Sequence, residues 1–194
     1  MLLRLIFIEL SCILFAIATA KIDKSSLILA VTIVLILSVS VFKTVSYGQL
    51  LWSPQIKLSN SVTNTTDGML ACLSDHYPLI DTWGLQNCVS SVQVYNVSKG
   101  RVPYLSTVPV AFVIKMVFDK HVFVVDEYYS PQNDINQALI LIHECSHLVL
   151  STIDYAYRWQ PEFKLLKDTQ HEKNADSYID LIINNCLTDI DVVF

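Results

Sequence analysis

The sequence predicts a mixed α+β domain that follows a hydrophobic N-terminal segment. Three observations lead to this prediction. Residues 1–42 are predominantly apolar, residues 108–125 are rich in β-branched and aromatic residues, and two later stretches repeat apolar residues at helical spacing. We therefore expect an N-terminal membrane anchor of residues 1–46 and a folded domain of residues 47–194.

Two apolar runs make up the N-terminal segment, residues 2–20 and residues 25–42. The second run contains no charged residue, and as a helix it would extend about 27 Å, close to the hydrocarbon thickness of a bilayer. The short connector between the runs carries two lysines, as a cytoplasmic turn does. We therefore expect a transmembrane helical hairpin, with membrane lipid as a partner and the domain on the extracytoplasmic side. A signal peptide cleaved after Ala20 is the alternative for the first run.

The charge of the domain argues against one class of function. From Tyr47 onward the chain has 9 Lys and Arg against 16 Asp and Glu, a net charge of −7, whereas the whole chain has −5. A nucleic-acid binder needs a clustered basic surface to neutralise phosphates, so we expect no nucleic-acid partner.

The domain has an even number of cysteines, Cys72, Cys88, Cys145 and Cys186. This number is compatible with two disulfides in an oxidising compartment, and four free thiols are the alternative. Cys72 and Cys88 flank a polar stretch that contains Pro and Gly, so we expect them to form one bridge. Cys186 is a candidate partner of Cys145.

The predicted elements are arranged in order along the domain. Residues 108–114 and 121–125 predict two strands, and the second is a candidate edge strand for an extended peptide. Residues 130–134 then break the pattern and supply helix-capping side chains. Apolar periodicity predicts helices over residues 135–149 and 173–185.

The first helix carries His143-Glu144-Cys145-Ser146-His147, which is the H-E-x-x-H pattern. Because four residues make just over one helical turn, both imidazoles project from one face and can bind a single zinc ion. Glu144 beside them can reach a zinc-bound water. A helix with two structural histidines would show the same pattern and is the alternative. Cys145 lies about 200° around the helix from each histidine and is expected to point away from the metal.

The residues after this pattern distinguish between types of zinc site. A metzincin would have Gly three residues and His six residues after His147, where this chain has Leu150 and Ile153. His76 and His121 have no neighbours at ligand spacing, and we expect both to be structural. The chain instead has a Thr, an Asp and a Tyr after the second histidine, at positions 152, 154 and 157.

In these positions the chain resembles the deuterolysin-like zinc endopeptidases, or aspzincins, which include peptidyl-Lys metalloendopeptidases. Their pattern after H-E-x-x-H is G-T-x-D-x-x-Y-G, and residues 174–178 match a second motif of the family, N-A-D-S-Y. The resemblance covers residues 122–182. Ser151 and Arg158 replace the two glycines, and serine adopts a positive φ less readily than glycine.

The resemblance implies a zincin-like metalloprotease domain with an active-site helix and a small sheet. It implies one Zn²⁺ ion, with three ligands: His143, His147 and Asp154. Glu144 would act as the catalytic base, and Tyr157 would donate a hydrogen bond to the developing oxyanion. Asp176 is a candidate for orienting a ligand or a turn.

The implied activity is that of a membrane-anchored, zinc-dependent metalloendopeptidase that hydrolyses protein or peptide substrates. Some members of the family cleave before lysine or favour basic proteins, and the acidic domain is compatible with such substrates. One alternative is a gluzincin-type peptidase, because Glu172 and Asp176 form an E-x-x-x-D pair 25 residues after His147. Another alternative is a catalytically inactive, membrane-anchored binding module on the same fold.

Overall fold

The computed structural model describes residues 52–102, 109–114 and 121–187, together with Thr32 and Leu50. The chain divides into two units, Met1–Gln49 and Leu50–Phe194.

The predicted transmembrane hairpin, residues 2–20 and 25–42, lies outside the described residues apart from Thr32. Among the residues that the structure does describe, no helix combines the length and the apolar character needed to cross a bilayer.

The described part of the second unit is α+β, as the sequence predicts, with several helices and a small mixed sheet. In chain order, its strands and α-helices are β1 (Gln55–Ile56), α1 (Asn60–His76), α2 (Thr82–Ser91), β2 (Gln93–Val97), β3 (Ala111–Val113), β4 (His121–Val125), α3 (Asp126–Tyr129), α4 (Asp134–Val149), α5 (Asp168–His171) and α6 (Ala175–Cys186). Lys99–Arg101 and Pro161–Leu165 form short 3₁₀ helices. The predictions of strands near β3 and β4, and of helices over residues 135–149 and 173–185, are confirmed.

The described sheet has the strand order β1-β2-β4-β3. β2 pairs with β4 in parallel, whereas β1 pairs with β2 and β3 pairs with β4 in antiparallel orientation. The prediction that residues 121–125 form an edge strand is therefore wrong, because β4 has a neighbour on each side. Val122–Val125 are 0% exposed, as in a strand that is covered on both faces. The edge next to β4 belongs to β3.

α1 begins in a stretch rich in Ser, Asn and Thr, for which the sequence does not predict a helix. Ser59 caps the helix, because its Oγ accepts a hydrogen bond from the backbone N–H of Val62 at 3.1 Å. Thr66 lies one turn further on, and its hydroxyl donates to the carbonyl oxygen of Val62 at 2.8 Å. The buried positions of this helix follow one face: Val62, Thr66, Met69, Leu70 and Leu73.

α4 occupies the centre of the described domain. It packs against α1, α2 and α6, and also against β3 and β4. Leu139, Leu141 and Ile142 on this helix are at most 1% exposed. The helix that carries the histidine pattern is therefore part of the hydrophobic core, which fixes its position relative to the sheet.

Two cysteine pairs lie at disulfide distance. Cys72 and Cys186 have Cα atoms 5.8 Å apart and join α1 to the end of α6, and Cys88 and Cys145 have Cα atoms 5.9 Å apart and join α2 to α4. The predicted Cys72–Cys88 bridge and the Cys145–Cys186 pairing are therefore wrong. The pairing depends on which neighbouring helix each cysteine faces, and not on the distance between cysteines along the chain.

Candidate metal centre

α4 presents His143 and His147 on one face. The helix begins where Asn133 Oδ1 accepts a hydrogen bond from the backbone N–H of Asn136 at 2.8 Å, so the predicted capping by residues 130–134 is confirmed. The two histidines are one turn apart, with ring centroids separated by 4.9 Å and planes at 87°. Both side chains are buried.

The Nε2 atoms of the two histidines converge on one carboxylate oxygen. Asp154 Oδ1 lies 3.1 Å from His143 Nε2 and 3.3 Å from His147 Nε2. One ligand atom from each of the three residues lies within 4.8 Å of the other two. Two ligands at about 2.1 Å from a tetrahedral ion are about 3.4 Å apart, so these separations fit a shared ion. His143, His147 and Asp154 could therefore hold one metal ion.

A left-handed residue turns the chain back from the end of α4 towards the histidines. Ser151 has φ 57°, and it is the one non-glycine residue with positive φ in the described part of the chain. The carbonyl oxygen of Ser146 accepts hydrogen bonds from the N–H groups of Leu150 at 2.9 Å and Thr152 at 3.5 Å. Ser151 thus adopts the conformation that glycine adopts more readily, at a cost of about 1–2 kcal/mol.

Ile153 attaches this turn to the start of α6. Its N–H donates to the carbonyl oxygen of Lys173 at 2.9 Å, and its own carbonyl oxygen accepts from the N–H of Ala175 at 3.2 Å. Because Asp154 is the next residue, its backbone position is set by both α4 and α6.

The Nδ1 atoms of both histidines face oxygen acceptors. His147 Nδ1 lies 3.0 Å from the carbonyl oxygen of Thr152, and His143 Nδ1 lies 3.4 Å from Asp176 Oδ1. An Nδ1–H that donates to oxygen leaves the Nε2 lone pair free for a metal ion. Thr152 Oγ1 also lies 2.8 Å from Ser146 Oγ, which ties the turn to the helix.

Asn174 and Asp176 hold the segment that carries Tyr157. Asn174 Oδ1 accepts hydrogen bonds from the N–H groups of Tyr155 at 2.9 Å and Ala156 at 3.3 Å. Asp176 Oδ2 accepts a short hydrogen bond from the N–H of Arg158. Asp176 therefore contacts both a histidine and a turn, the two functions considered for it from sequence.

Glu144 is 6% exposed and forms part of the wall of a groove next to the histidines. Burial raises the pKa of its carboxyl group, although the neighbouring histidines act in the opposite direction. A buried carboxyl group with a raised pKa can both accept and return a proton near neutral pH.

Tyr157 stands beside the same cluster. Its hydroxyl lies 3.5 Å from Asp154 Oδ2, and its ring stacks on that of His143 with centroids 6.0 Å apart at 14°. Burial raises the pKa of Tyr157, and the negative charges of Asp154 and Glu144 raise it further. The hydroxyl therefore keeps its proton and remains a hydrogen-bond donor.

His143 and Asp154 form a charged pair when no metal is bound. Burial alone lowers the pKa of His143, but hydrogen bonds to Asp154 and Asp176 outweigh it and raise the pKa to about 10. Burial alone raises the pKa of Asp154, but hydrogen bonds to His143 and His147 hold it well below its usual range. A metal ion binding here must displace a proton from His143.

Two grooves open at the cluster, beneath β3. The larger, of about 430 Å³, contains Glu144, His147, Asp154 and Tyr157 in its wall. The smaller, of about 290 Å³, contains His143, Glu144 and Tyr157. Glu144 and Tyr157 thus lie at the junction of the two grooves, and a chain lying along both would pass the cluster.

Glu172, the alternative third ligand, does not belong to the His143 cluster. It follows α5, where its carbonyl oxygen accepts a hydrogen bond from the Tyr178 hydroxyl at 2.8 Å. A second group of potential ligand atoms consists of Cys72, His76 and Cys186. His76 therefore has neighbours that its sequence context did not indicate, but the two sulfur atoms lie at disulfide distance from each other and are not free thiolates.

From sequence, Asn174 was noted only as part of the 174–178 motif, with no role assigned to its side chain, and Trp159 was not identified. The side chain of Asn174 makes no capping bond to α6 and turns instead to the 155–158 segment, although an asparagine at a helix start usually indicates a cap. Trp159 stacks on Tyr157 with centroids 4.8 Å apart at 10°. The one feature of the sequence that pointed to this stacking is the position of Trp159 two residues after Tyr157.

No family model matches this chain, and no curated protein or solved structure matches it. The resemblance to the deuterolysin-like endopeptidases rests on the two motifs within residues 143–157 and 174–178.

Proposed function

We propose that this chain is a zinc-dependent metalloendopeptidase of the deuterolysin type. One observation carries the proposal: two imidazole Nε2 atoms and one Asp oxygen converge at 3.1 and 3.3 Å next to a buried glutamate, at the junction of two open grooves. The open grooves argue against a helix that carries two structural histidines, because buried structural histidines need hydrogen-bond partners but no open groove beside them.

The ligand chemistry supports zinc as the ion. Two neutral imidazoles and one carboxylate make a donor set of catalytic zinc sites, and they leave a coordination position open. His143 and His147 would bind through Nε2, and Asp154 would bind through Oδ1. When bound, zinc supplies Lewis-acid chemistry that acidifies water and polarises a carbonyl group.

Glu144 would act as the general base and then as the general acid. In its ionised form it accepts a proton from the water that attacks the scissile carbonyl carbon, and it then returns this proton to the leaving amine. Its burial and the raised pKa of its carboxyl group suit it to both steps.

Tyr157 would stabilise the charge that develops on the carbonyl oxygen. Because its pKa is raised, its hydroxyl remains a donor across the physiological range. Its ring is held between His143 and Trp159, so the hydroxyl needs little reorganisation to donate to the oxyanion.

The substrate backbone would pair with β3. β3 is at the edge of the described sheet, and its residues Ala111–Val113 line the larger groove. An extended peptide can add to such an edge through backbone hydrogen bonds. β3 would therefore be the edge strand that binds the peptide, a role that the sequence had suggested for β4.

The N-terminal segment would anchor the enzyme in a membrane, with the domain on the extracytoplasmic side. The two cysteine pairs at disulfide distance fit an oxidising compartment. Protease protection of the full chain in sealed inside-out and right-side-out vesicles tests this arrangement, since only one orientation should leave the domain open to digestion.

Metal analysis and peptide hydrolysis with the full chain, purified in detergent, test the activity. We expect about one zinc ion per chain and cleavage of a mixed peptide substrate. Glu144→Gln should keep the zinc and lower kcat by roughly 10²–10⁴-fold. Glu162→Gln, at an exposed position of the Pro161–Leu165 helix, is the matched control and should preserve both properties.

Two results would contradict the proposal. A purified chain that binds no metal ion would remove the basis of the chemistry. A chain that binds zinc and cleaves no peptide would instead be the inactive binding module.

A further inference from the structure

We propose that reduction of the Cys72–Cys186 bridge creates a second metal site, in which the two thiolates and the imidazole of His76 bind one zinc ion. The inference does not depend on the proposed endopeptidase function, because none of these three residues belongs to the His143 cluster. It gives the bridge a second state, in which a metal ion and not a covalent bond joins α1 to the end of α6.

Cys72 and His76 already have the separation of two metal ligands. They are four residues apart on α1, so both side chains lie on one face of the helix. His76 Nδ1 lies 3.7 Å from Cys72 Sγ. A sulfur and a nitrogen on one tetrahedral zinc ion are about 3.6 Å apart, because the Zn–S and Zn–N distances are about 2.3 and 2.1 Å. This pair therefore needs little movement to bind an ion.

Cys186 supplies the third ligand from the other helix. Its sulfur atom and the ligand atoms of Cys72 and His76 all lie within 4.8 Å of one another. Two sulfur ligands of a tetrahedral zinc ion are about 3.8 Å apart, so the two sulfur atoms must separate once their bond is broken. Both cysteines are only partly buried, at the ends of α1 and α6, and their side chains have room to rotate.

His76 can bind the ion through Nδ1. In the bridged chain this atom also lies 3.0 Å from the carbonyl oxygen of Cys72, which makes it the protonated nitrogen of a neutral ring. The side chain of His76 is exposed, so its ring exchanges protons with water. The proton can therefore move to Nε2 and leave the Nδ1 lone pair for the metal ion.

The second bridge, Cys88–Cys145, lacks this arrangement. In the described part of the chain, no His, Asp or Glu completes a three-ligand group with these two cysteines. Cys145 is also 0% exposed. The two bridges therefore form a matched pair, in which only Cys72–Cys186 has a third ligand beside it.

The chemistry of the two states balances with an external dithiol as the reductant. The dithiol gives two electrons that break the S–S bond, becomes a disulfide itself, and passes its two protons to the cysteine sulfurs. Zinc binding then releases these two protons, because thiolates are the ligands. Two thiolates and one imidazole are typical zinc ligands, and water can take the fourth position at this exposed site.

Cobalt binding to the reduced full chain, purified in detergent, tests the site. Co²⁺ replaces zinc in tetrahedral sites, and thiolate ligands give it a charge-transfer absorption in the near ultraviolet that the His143 cluster cannot give. A phosphine reduces the bridges, becomes a phosphine oxide and is removed under nitrogen, since a dithiol would itself bind the metal. We expect no thiolate band in the oxidised chain and a band in the reduced chain. A reduced chain without this band would overturn the inference.

Variants of the two bridges assign the band to its sulfur atoms. Cys72→Ser combined with Cys186→Ser should abolish the band in the reduced chain. Cys88→Ala combined with Cys145→Ala should retain it, since this pair has no third ligand. The opposite result would place the thiolate site at the wrong bridge and contradict the inference.

A substitution at His76 distinguishes a three-ligand site from a simple pair of thiols. His76→Ala should weaken Co²⁺ binding, measured from the thiolate band, by about tenfold or more. Asp75→Ala, at the exposed neighbouring position of α1, is the matched control and should leave the affinity unchanged. Equal affinities in the wild type and in His76→Ala would remove the imidazole from the site.

Alkylation gives a readout that needs no variant. In the reduced chain, zinc should slow the reaction of Cys72 and Cys186 with iodoacetamide by about tenfold or more and leave the rate at Cys88 unchanged, as peptide mass spectrometry measures it. Circular dichroism should show that the helices persist after reduction. Loss of the helices, or an absence of protection at Cys72 and Cys186, would overturn the inference. Failure of the oxidised chain to bind zinc would instead contradict the proposed function alone.

Discussion

The side-chain amide of Asn174 pairs with the backbone of Ala156 as a neighbouring strand would. Asn174 Nδ2 donates to the Ala156 carbonyl oxygen at 2.9 Å, and Asn174 Oδ1 accepts from the Ala156 N–H at 3.3 Å. One buried side chain therefore satisfies both polar groups of a residue that is 3% exposed. Because Tyr157 directly follows Ala156, this pairing also fixes the backbone next to Tyr157.

Replacing Asn174 with Ala should lower the free energy of unfolding by about 2–3 kcal/mol, because buried backbone groups lose their partners. Urea unfolding monitored by circular dichroism gives the value. Asn184→Ala, at an exposed position of α6, is the matched control and should cost less than about 0.5 kcal/mol. Equal losses in the two variants would show that the Asn174 pairing adds nothing.

Ser151→Gly should stabilise the protein by about 1 kcal/mol. The residue is exposed and has φ 57°, a conformation that is strained for serine and relaxed for glycine. Ser151→Ala also removes the hydroxyl but keeps the Cβ atom, so it should give no gain in stability. The comparison therefore separates relief of backbone strain from loss of the hydroxyl. Thermal unfolding of the three proteins provides the comparison, and a stabilised alanine variant would contradict the explanation.

Zinc affinity should distinguish Asp154 from Glu172. Removing a ligand costs more than the roughly 10–100-fold lost when an orienting partner is removed, so Asp154→Ala should weaken binding by more than about 100-fold. Asp176→Asn should fall within the 10–100-fold range, because Asp176 orients His143 and accepts from the N–H of Arg158 but is not itself one of the proposed ligands. Competition with a chromophoric chelator measures all variants. Glu172→Ala should bind as the wild type does, and retained affinity in Asp154→Ala would contradict the assigned ligand set.

The metal-free protein should lose stability as pH rises from about 7 towards 10. The pKa of His143 is raised to about 10 by Asp154 and Asp176, against the effect of burial. The stabilisation is therefore complete below the unfolded pKa of about 6.5 and is lost as pH rises through about 10. The lowered pKa of Asp154 acts in the other direction, with stabilisation present above about pH 4 and lost as pH falls further.

The pH dependence of stability is measured as the thermal unfolding midpoint of the chelator-treated protein between pH 5 and 10. Asp154→Asn should reduce the loss of stability between about pH 7 and 10, which is the alkaline limb of the profile. Asp75→Asn, at an exposed position of α1, should leave this limb unchanged. Zinc loading should also flatten it, since His143 must then be neutral. An alkaline limb that survives in Asp154→Asn would assign the pH dependence to another group.

The cluster of His143, His147 and Asp154 could be predicted from sequence because its geometry is local. Helical periodicity alone places His143 and His147 on one face of α4, and the resemblance to the deuterolysin-like pattern pointed to Asp154 seven residues later. The glycine of the resembled pattern raised the question of a positive φ at position 151, but the sequence could not show that Ser151 adopts it. That conformation is stabilised by contacts of neighbouring residues with Ser146 and with the start of α6.

The wrong or missing predictions concern the sheet edge, α1 and the cysteine pairing, and all three depend on tertiary contacts. The uninterrupted apolar run Val122–Val125 is typical of a strand buried on both faces, so it already argued against an edge position for β4. α1 was missed because Ser, Asn and Thr have low helix propensity, and the burial of Val62, Met69 and Leu73 outweighs it. The cysteine pairing depends on the packing of four helices, on which spacing along the chain carries no information.

The middle residue of the histidine pattern, Cys145, is fully buried, whereas Cys72 and Cys186 lie only partly buried at one end of the helices. A small thiol reductant therefore encounters the two bridges in a fixed order. Both residues of Cys72–Cys186 are partly exposed in the folded protein, whereas Cys88–Cys145 offers only the partly buried Cys88, so we expect Cys72–Cys186 to be reduced first. Mild reduction should release the end of α6 and leave α4, which carries the two histidines, linked to α2.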